Sequence, residues 1–295
     1  EANFETTVSA EDFAEHLAFL LRWRQPVTLS DVRAAMLGGR PLPRRAVLIT
    51  FDDGYRNVYT HAAPVLQRYG VPAVVFLSTG YIDTDCLYWY DEVRQRLDRW
   101  GNPLIERPSD GSTVAWPVDP RTRETLAGKI RGECKRVPDR RRVEYLDYLR
   151  ARMNEPLQLT AEQHHILDPM SWQEASKLLE MGFEIGSHTV THPILTNLPA
   201  EELNAELAGS KAEIERRTAR ACYSIAWPNG TRADFSPMIA DAAKAAGYDL
   251  AFTMVERMNG PESNPYMLSR ITAPGHVPLT ALRVRASGLY SILNG

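Results

Sequence analysis

Residues 50–54 read Thr-Phe-Asp-Asp-Gly, and they directly follow the apolar run Ala-Val-Leu-Ile at residues 46–49. A short run of β-branched and aliphatic residues is typical of a buried strand, and Asp-Asp-Gly then indicates a turn after it. Adjacent carboxylates repel each other, so the pair Asp52 and Asp53 indicates a functional need for both. In α/β proteins, functional side chains usually lie at the carboxyl ends of strands. Taken alone, this pentapeptide is equally compatible with an ordinary Asp-Gly turn.

Two histidines four residues apart, His188 and His192, follow a second apolar run at residues 183–185. Positions i and i+4 of one helical turn share a face, so both imidazoles can reach the same ion. The spacing alone also arises by chance on surface helices. Two imidazoles and one carboxylate form a site for a divalent metal ion that leaves positions open for water and substrate. Together with a carboxylate of the Asp52-Asp53 pair, the histidines predict one divalent metal ion, with Zn²⁺ as the default.

A third turn, Ala-Trp-Pro-Asn-Gly at residues 226–230, follows the short strand pattern of residues 223–225. In their order and approximate separation, the three motifs resemble those of the polysaccharide deacetylases, the NodB-homology group or carbohydrate esterase family 4. The resemblance extends over residues 45–82 and 171–275. It implies an α/β fold of a particular kind, a distorted (β/α) barrel with fewer than eight strands. It also implies hydrolysis of acetyl amides on amino sugars.

The resemblance assigns a role to each motif residue. It implies that Asp53, His188 and His192 hold the metal ion and that Asp52 is the base that activates water. The main-chain N–H of Asn229 matches the family's donor to the oxyanion. A bound cation would offset the repulsion between the two adjacent carboxylates.

Two positions depart from the family pattern. Many members begin the third motif with an Arg that orients the base through a partner Asp, whereas this chain has Ala226 and no evident Asp after residues 250–254. Asp52 is therefore expected to lack its usual orienting partner. The only downstream candidate for the family's general acid is His276. If His276 is not the acid, protonated Asp52 can return its proton to the leaving amine.

Four further side chains are predicted to contact substrate: Tyr55, Trp89, Trp227 and Arg270. Aromatic rings offer large apolar faces on which a sugar can stack. For aromatic residues between the motifs, packing within a local core is the alternative interpretation. For Arg270, an ion pair within the protein is as well supported as a contact with substrate.

Short apolar strands alternate with helical patterns along most of the chain, which predicts a parallel sheet covered by helices. Residues 84–170 break this alternation with helical stretches near residues 122–131 and 140–153. We interpret residues 1–295 as one domain in which residues 84–170 form a helical insertion that caps the catalytic rim.

The composition is that of a globular enzyme domain. With 295 residues, 44% of them hydrophobic, the chain can bury a large core. A net charge of −3 gives no general argument for nucleic acid as a partner, and no apolar run approaches the length of a transmembrane segment. No signal-peptide pattern is visible, so the compartment stays open between the cytoplasm and the cell envelope of a bacterium.

The sequence therefore predicts a metal-dependent hydrolase that removes N-acetyl groups from amino-sugar units of a polysaccharide or glycoconjugate. A related amide hydrolase acting on a small non-sugar substrate is one alternative. A catalytically silent carbohydrate-binding module is another, disfavoured because Asp52, Asp53, His188 and His192 are all present.

Overall fold

The structure is a computed structural model that describes residues 8–153 and 156–273, together with Leu282 and Arg285. The strands in these residues are β1 Gln25–Pro26, β2 Ala46–Val47, β3 Ile49–Phe51, β4 Ala73–Leu77, β5 Leu104–Glu106, β6 Thr113–Ala115, β7 Glu184–Ser187, β8 Ser224–Ala226 and β9 Leu250–Phe252. The α-helices are α1 Ala10–Leu21, α2 Leu29–Met36, α3 Ala63–Tyr69, α4 Trp89–Asp98, α5 Pro120–Cys134, α6 Asp139–Met153, α7 Ala161–Leu167, α8 Trp172–Glu180, α9 Ala200–Thr218 and α10 Pro237–Ala245. A π-helical turn, Val58–Ala62, leads into α3, and a 3₁₀ turn, Leu195–Asn197, precedes α9.

The main sheet contains five parallel strands in the order β3-β4-β7-β8-β9. A second parallel pair, β1 and β2, lies beside it, since only Leu48 separates β2 from β3. Parallel neighbours require crossover connections, and helices supply them here. The predicted α/β architecture is confirmed, and the described residues contain fewer parallel strands than the eight of a complete (β/α) barrel.

The strand β4 is buried on both faces, which explains its uninterrupted apolar sequence. Its residues Val75 and Leu77 belong to the larger core cluster, whereas Val74 and Phe76 belong to a second cluster. Strands covered on both faces lose the alternation of apolar and polar residues. The neighbouring strand approaches closely at Gly186, where a Cβ atom would lie 2.4 Å from the Phe76 ring. This packing fixes the part of the sheet from which the motifs emerge.

Among its described residues, the insertion contains the helices α4, α5, α6 and α7. Of these, α5 and α6 match the predicted helical stretches near residues 122–131 and 140–153, whereas α4 and α7 were not predicted. It also contains an antiparallel hairpin of β5 and β6, which we did not predict. Its helices enclose a separate core that includes Trp89, Trp100, Trp116, Ile130, Tyr145 and Leu149. Its two ends meet beside the first motif, because the Asp83 N–H donates to Met170 O and the Met170 N–H donates to Gly54 O. The insertion therefore begins and ends next to the strand end that carries the first motif.

The longest described helix is α9, with 19 residues that include several glutamates and arginines. Within the described residues, we find no helix with the length and apolar composition needed to cross a bilayer.

Candidate metal centre and catalytic site

The three motifs lie at the carboxyl ends of three strands of the main sheet. Asp52 and Asp53 follow β3, His188 follows β7, and residues 227–230 follow β8. The strand ends are level with one another, since Leu77 pairs with Ser187 and Ser187 pairs with Ile225. Side chains that are far apart in sequence therefore converge at one rim.

The His188–His192 segment is a loop and not the helical turn that we predicted from its spacing. The chain instead reverses through left-handed conformations at Thr189 (φ 70°) and His192 (φ 54°). Asp53 (φ 71°) and Asn229 (φ 58°) have the same conformation in the other two motifs. Such a backbone costs on the order of 1–3 kcal/mol for a residue other than glycine, and it persists where the surroundings hold it.

The predicted metal ligands Asp53, His188 and His192 form a compact group. Asp53 Oδ1 lies 3.5 Å from His188 Nε2 and 3.3 Å from His192 Nε2. The three ligand atoms all lie within 4.8 Å of one another. Two ligand atoms bound at about 2.1 Å to a tetrahedral ion are separated by about 3.4 Å. The observed spacing therefore fits a single small cation between these atoms.

A buried, unpaired oxygen provides independent evidence for a cation. Asp53 Oδ1 is buried and has no hydrogen-bond partner within the described residues. An unpaired carboxylate oxygen in this environment is unfavourable unless a positive charge compensates it. A metal ion held by Asp53 and the two imidazoles would supply that charge.

The tautomer of His188 is set by the third motif. Its Nδ1 lies 2.7 Å from the main-chain oxygen of Ala226, so Nδ1–H donates and Nε2 presents its lone pair toward Asp53. Burial lowers the pKa of His188, so the imidazole is held in the neutral form that a metal ion requires.

The loop that carries His192 is held by the helix α9. Glu206 accepts hydrogen bonds from the main-chain N–H groups of Val190 at 2.7 Å and Thr191 at 3.0 Å. Thr189 Oγ1 accepts from the His192 N–H at 3.1 Å. Sequence analysis did not identify Glu206, since one glutamate among many on a charged helix gives no distinguishing signal.

Arg270 supplies the orienting partner that Asp52 was expected to lack. Its guanidinium forms a bidentate pair with Asp52, with N–O distances of 2.6 and 2.7 Å. Arg270 also donates to Thr253 O at 3.0 Å, and its side chain is 10% exposed. Burial raises the pKa of Asp52, but its surroundings, with the Arg270 guanidinium foremost, outweigh burial and lower the pKa to about 2. Arg270 is therefore committed to Asp52 and does not offer a free guanidinium to substrate.

The third motif is held by its own side-chain contacts. The Asn229 side chain donates to Asp234 Oδ2 at 2.6 Å and accepts from Lys135 Nζ at 2.8 Å. The main-chain N–H of Asn229 has no acceptor in the described part of the chain. That N–H can therefore donate to another group, and its role as the donor to the oxyanion stays a prediction. Lys135 belongs to the insertion, so the insertion contacts the third motif directly.

The remaining predicted site residues are three aromatic residues expected to contact substrate and the expected general acid. Trp89 is 3% exposed and Trp227 is 1% exposed, so neither indole offers a face on which a sugar could stack. Tyr55 is partly exposed at the rim, and its hydroxyl donates to Asp91 at 2.5 Å. His276 lies outside the described residues, and its predicted role as general acid stays a prediction.

Asp91 is a buried carboxyl group that sequence analysis missed. It is the third residue of α4, is 9% exposed, and accepts from Tyr55, whose hydroxyl lies 3.0 Å from that of Tyr90. Burial raises the pKa of Asp91 to about 7. No motif marks this aspartate, because its environment is created by the contact of α4 with the first motif.

This raised pKa predicts a pH-dependent stability difference between the wild type and Asp91→Asn in metal-free protein. Folding raises the pKa from 3.8 to about 7, so the contribution of Asp91 to stability is full below pH 3.8 and is lost toward pH 7. Asparagine cannot ionise and avoids this loss. We expect the free energy of unfolding of Asp91→Asn, relative to wild type, to rise between pH 4 and 8 by about 4 kcal/mol at most.

Urea denaturation of both metal-free proteins at several pH values measures this difference. Asp85→Asn, which changes an exposed aspartate of the same insertion, provides the control. A difference between Asp91→Asn and wild type that stays constant over this pH range would contradict the assignment.

The polysaccharide deacetylase family model matches residues 39–106 and 144–251, which is more than half of the chain. The chain therefore belongs to the polysaccharide deacetylase family. The match omits residues 107–143, a shorter stretch than the insertion of residues 84–170 that we defined from the sequence.

Curated relatives and solved structures agree with this assignment. Over 83 residues, 28% of this chain, it is 39% identical to the poly-β-1,6-N-acetyl-D-glucosamine N-deacetylase of Escherichia coli (strain K12), but the match spans 11% of that protein. It is 20% identical over 270 residues to the putative polysaccharide deacetylase YxkH of Bacillus subtilis (strain 168), covering 91% of this chain and 66% of YxkH.

Two solved structures resemble the whole chain. The Streptococcus pyogenes deacetylase PplD, solved in complex with acetate, has a TM-score of 0.61 at 16% identity, covering 97% of this chain and 90% of PplD. IcaB from Ammonifex degensii has a TM-score of 0.61 at 19% identity, covering 95% and 89%. At these identities the likeness shows a shared fold.

Proposed function

We propose that this chain is a metal-dependent N-deacetylase that releases acetate from N-acetylated amino-sugar units of a polysaccharide. The observation that carries the proposal is the convergence of Asp53, His188 and His192 beside Asp52, whose carboxylate is held by Arg270. Membership of the polysaccharide deacetylase family supports the same reaction.

The reaction divides the tasks of amide hydrolysis among neighbouring groups. A divalent ion held by Asp53 and the two histidines would polarise the acetyl carbonyl and lower the pKa of a water molecule. Asp52, ionised at neutral pH because of its low pKa, accepts the proton of the attacking water. Its bidentate contact with Arg270 fixes the orientation of the carboxylate toward the rim.

The remaining tasks concern the oxyanion and the leaving amine. The main-chain N–H of Asn229 donates a hydrogen bond to the oxygen that becomes negative when water adds to the carbonyl. When the C–N bond breaks, the amine takes a proton and acetate forms. Protonated Asp52 can return the proton it took from water, which leaves the carboxylate ready for another cycle. His276 is the alternative donor that the resemblance suggested.

We propose Zn²⁺ as the ion. The spacings of 3.3 and 3.5 Å between Asp53 Oδ1 and the two imidazole nitrogens leave room for one small cation. Two imidazoles and one carboxylate also match the composition of catalytic zinc sites.

We further propose a polymer of β-1,6-linked N-acetylglucosamine as the substrate class. Support comes from the Escherichia coli relative, a poly-β-1,6-N-acetyl-D-glucosamine N-deacetylase, which is matched over 83 residues. At the rim, Tyr55 and Tyr90 are partly exposed, so their rings can contact a sugar.

Acetate release tests the proposal. Purified protein is incubated with β-1,6-linked N-acetylglucosamine oligomers and, in parallel, with small N-acetylated amines that carry no sugar. We expect acetate from the oligomers, its loss after exhaustive chelation, and its return when Zn²⁺ is added.

The other results have distinct meanings. Acetate from the non-sugar amides alone would indicate the related amide hydrolase. Metal-loaded protein that binds the oligomers without releasing acetate would indicate the silent binding module. Full activity after exhaustive chelation would contradict metal dependence.

A further inference from the structure

The two histidine ligands are supported in different ways. His188 donates its Nδ1–H to Ala226 O at 2.7 Å. The corresponding Nδ1 of His192 is buried and has no partner within the described residues. Metal-binding histidines almost always donate their second ring N–H to an acceptor that fixes the ring orientation. His192 therefore needs some other means of holding its ring in place.

The first turn of α4 provides such a contact at the main chain. The indole Nε1–H of Trp89 donates to the carbonyl oxygen of His192 at 2.8 Å, and the bond is buried. On its other side, the His192 N–H donates to Thr189 Oγ1 at 3.1 Å. Hydrogen bonds to both its N–H and its carbonyl oxygen thus hold His192 in its left-handed backbone conformation.

The residues on either side of Trp89 contact the same centre. The Tyr88 hydroxyl donates to the main-chain oxygen of Asp53 at 2.6 Å. The Tyr90 ring meets the His192 ring edge-on, with centroids 5.0 Å apart. Three consecutive residues of the insertion therefore contact the two metal ligands whose backbones are left-handed.

We propose that Trp89 is a positioning residue for the metal centre: it holds the His192 main chain so that the His192 imidazole points at the ion. Tyr88 holds the Asp53 main chain in the same way. This inference rests on the metal site proposed above. It also gives the insertion a direct role in metal binding, in addition to any effect on substrate choice. The prediction that Trp89 contacts substrate is replaced by this role, which its burial and its hydrogen bond support.

A purely structural role for Trp89 is the competing explanation, because the indole also packs in the core of the insertion and under the Arg142 guanidinium. Trp100 gives a matched control for that role. It is 3% exposed, lies in the same core cluster, and donates its Nε1–H to Leu104 O at 3.1 Å, away from the metal ligands. Replacing either tryptophan with phenylalanine removes one indole hydrogen bond and a similar volume.

The test measures Zn²⁺ affinity of the full chain by competition with a chromophoric chelator for wild type, Trp89→Phe and Trp100→Phe. We expect Trp89→Phe to bind Zn²⁺ about 10–100-fold more weakly, the usual effect of losing an outer-shell contact. Trp100→Phe should bind Zn²⁺ as tightly as the wild type. With Co²⁺ bound, the visible absorption bands should shift in Trp89→Phe and stay unchanged in Trp100→Phe.

Equal Zn²⁺ affinity in Trp89→Phe and wild type would overturn the inference, as would equal weakening in both tryptophan variants. If Trp89→Phe fails to fold, Tyr88→Phe removes one hydroxyl and serves instead. Its expected loss is smaller, because Asp53 O also accepts from the Ser78 N–H at 3.0 Å. A Zn²⁺ affinity unchanged from wild type would still overturn the inference. A wild-type chain that binds no divalent metal would overturn the proposed function and this inference together.

Discussion

Asp53→Asn is expected to lose its metal ion and, with the ion, its deacetylase activity. The substitution removes the only carboxylate from the ligand group and leaves the two imidazoles without an anionic partner. Because an anionic ligand contributes more than an outer-shell contact, we expect metal affinity to fall by more than about 100-fold. Elemental analysis after dialysis, with kcat for acetate release measured on the same samples, checks this result.

Asp53→Asn changes the side chain without adding strain to the backbone, so its effect can be assigned to the lost carboxylate. Asparagine adopts the left-handed conformation at least as readily as aspartate, so φ 71° adds no new strain. The Asp53 main-chain oxygen keeps its donors, Ser78 N–H and the Tyr88 hydroxyl. Excess Zn²⁺ should restore part of the activity. Retention of a full equivalent of metal after dialysis would show that Asp53 is not a ligand.

The strand ends and the motif residues were predictable because their signals are local. An apolar run followed by Asp-Asp-Gly indicates a buried strand and a turn without any knowledge of distant residues. The parallel sheet then requires that Asp53 and His188 meet at one edge. The prediction of a helical turn at residues 188–192 was wrong because the conformation of this segment is not determined locally. The left-handed conformations there depend on partners such as Glu206 and Trp89, which lie elsewhere in the chain.

The surroundings of the site were less predictable. Arg270 was predicted to contact substrate or to form an ion pair within the protein. Nothing in the sequence indicates that its partner is Asp52, 218 positions away. Trp89 carries an apolar ring and one N–H donor, so the residue type suits both a sugar platform and a buried hydrogen bond. Only the packing of Trp89 against the loop that carries His192 decides between these roles.

The second large effect is expected for Asp52→Asn. This variant should keep its metal ion and lose about 10²–10⁴-fold in kcat, the usual contribution of a positioned general base. The amide cannot accept the proton of water, yet it occupies nearly the same volume beside Arg270. Metal content and kcat of Asp52→Asn and Asp53→Asn, measured side by side, separate the two adjacent aspartates. Equal metal loss in both variants would contradict their different roles.

An unpaired Arg270 is the main competing cause of a low kcat in Asp52→Asn. Its guanidinium is largely buried, and removing one partner of such a pair leaves an uncompensated charge that can distort the site. The double variant Asp52→Asn/Arg270→Met removes both charges. If the loss comes from the missing base, the double variant stays as inactive as Asp52→Asn while it binds Zn²⁺ normally. Recovery of activity in the double variant would instead show that the unpaired Arg270 caused the low kcat of Asp52→Asn. Asp52 would then no longer qualify as the base.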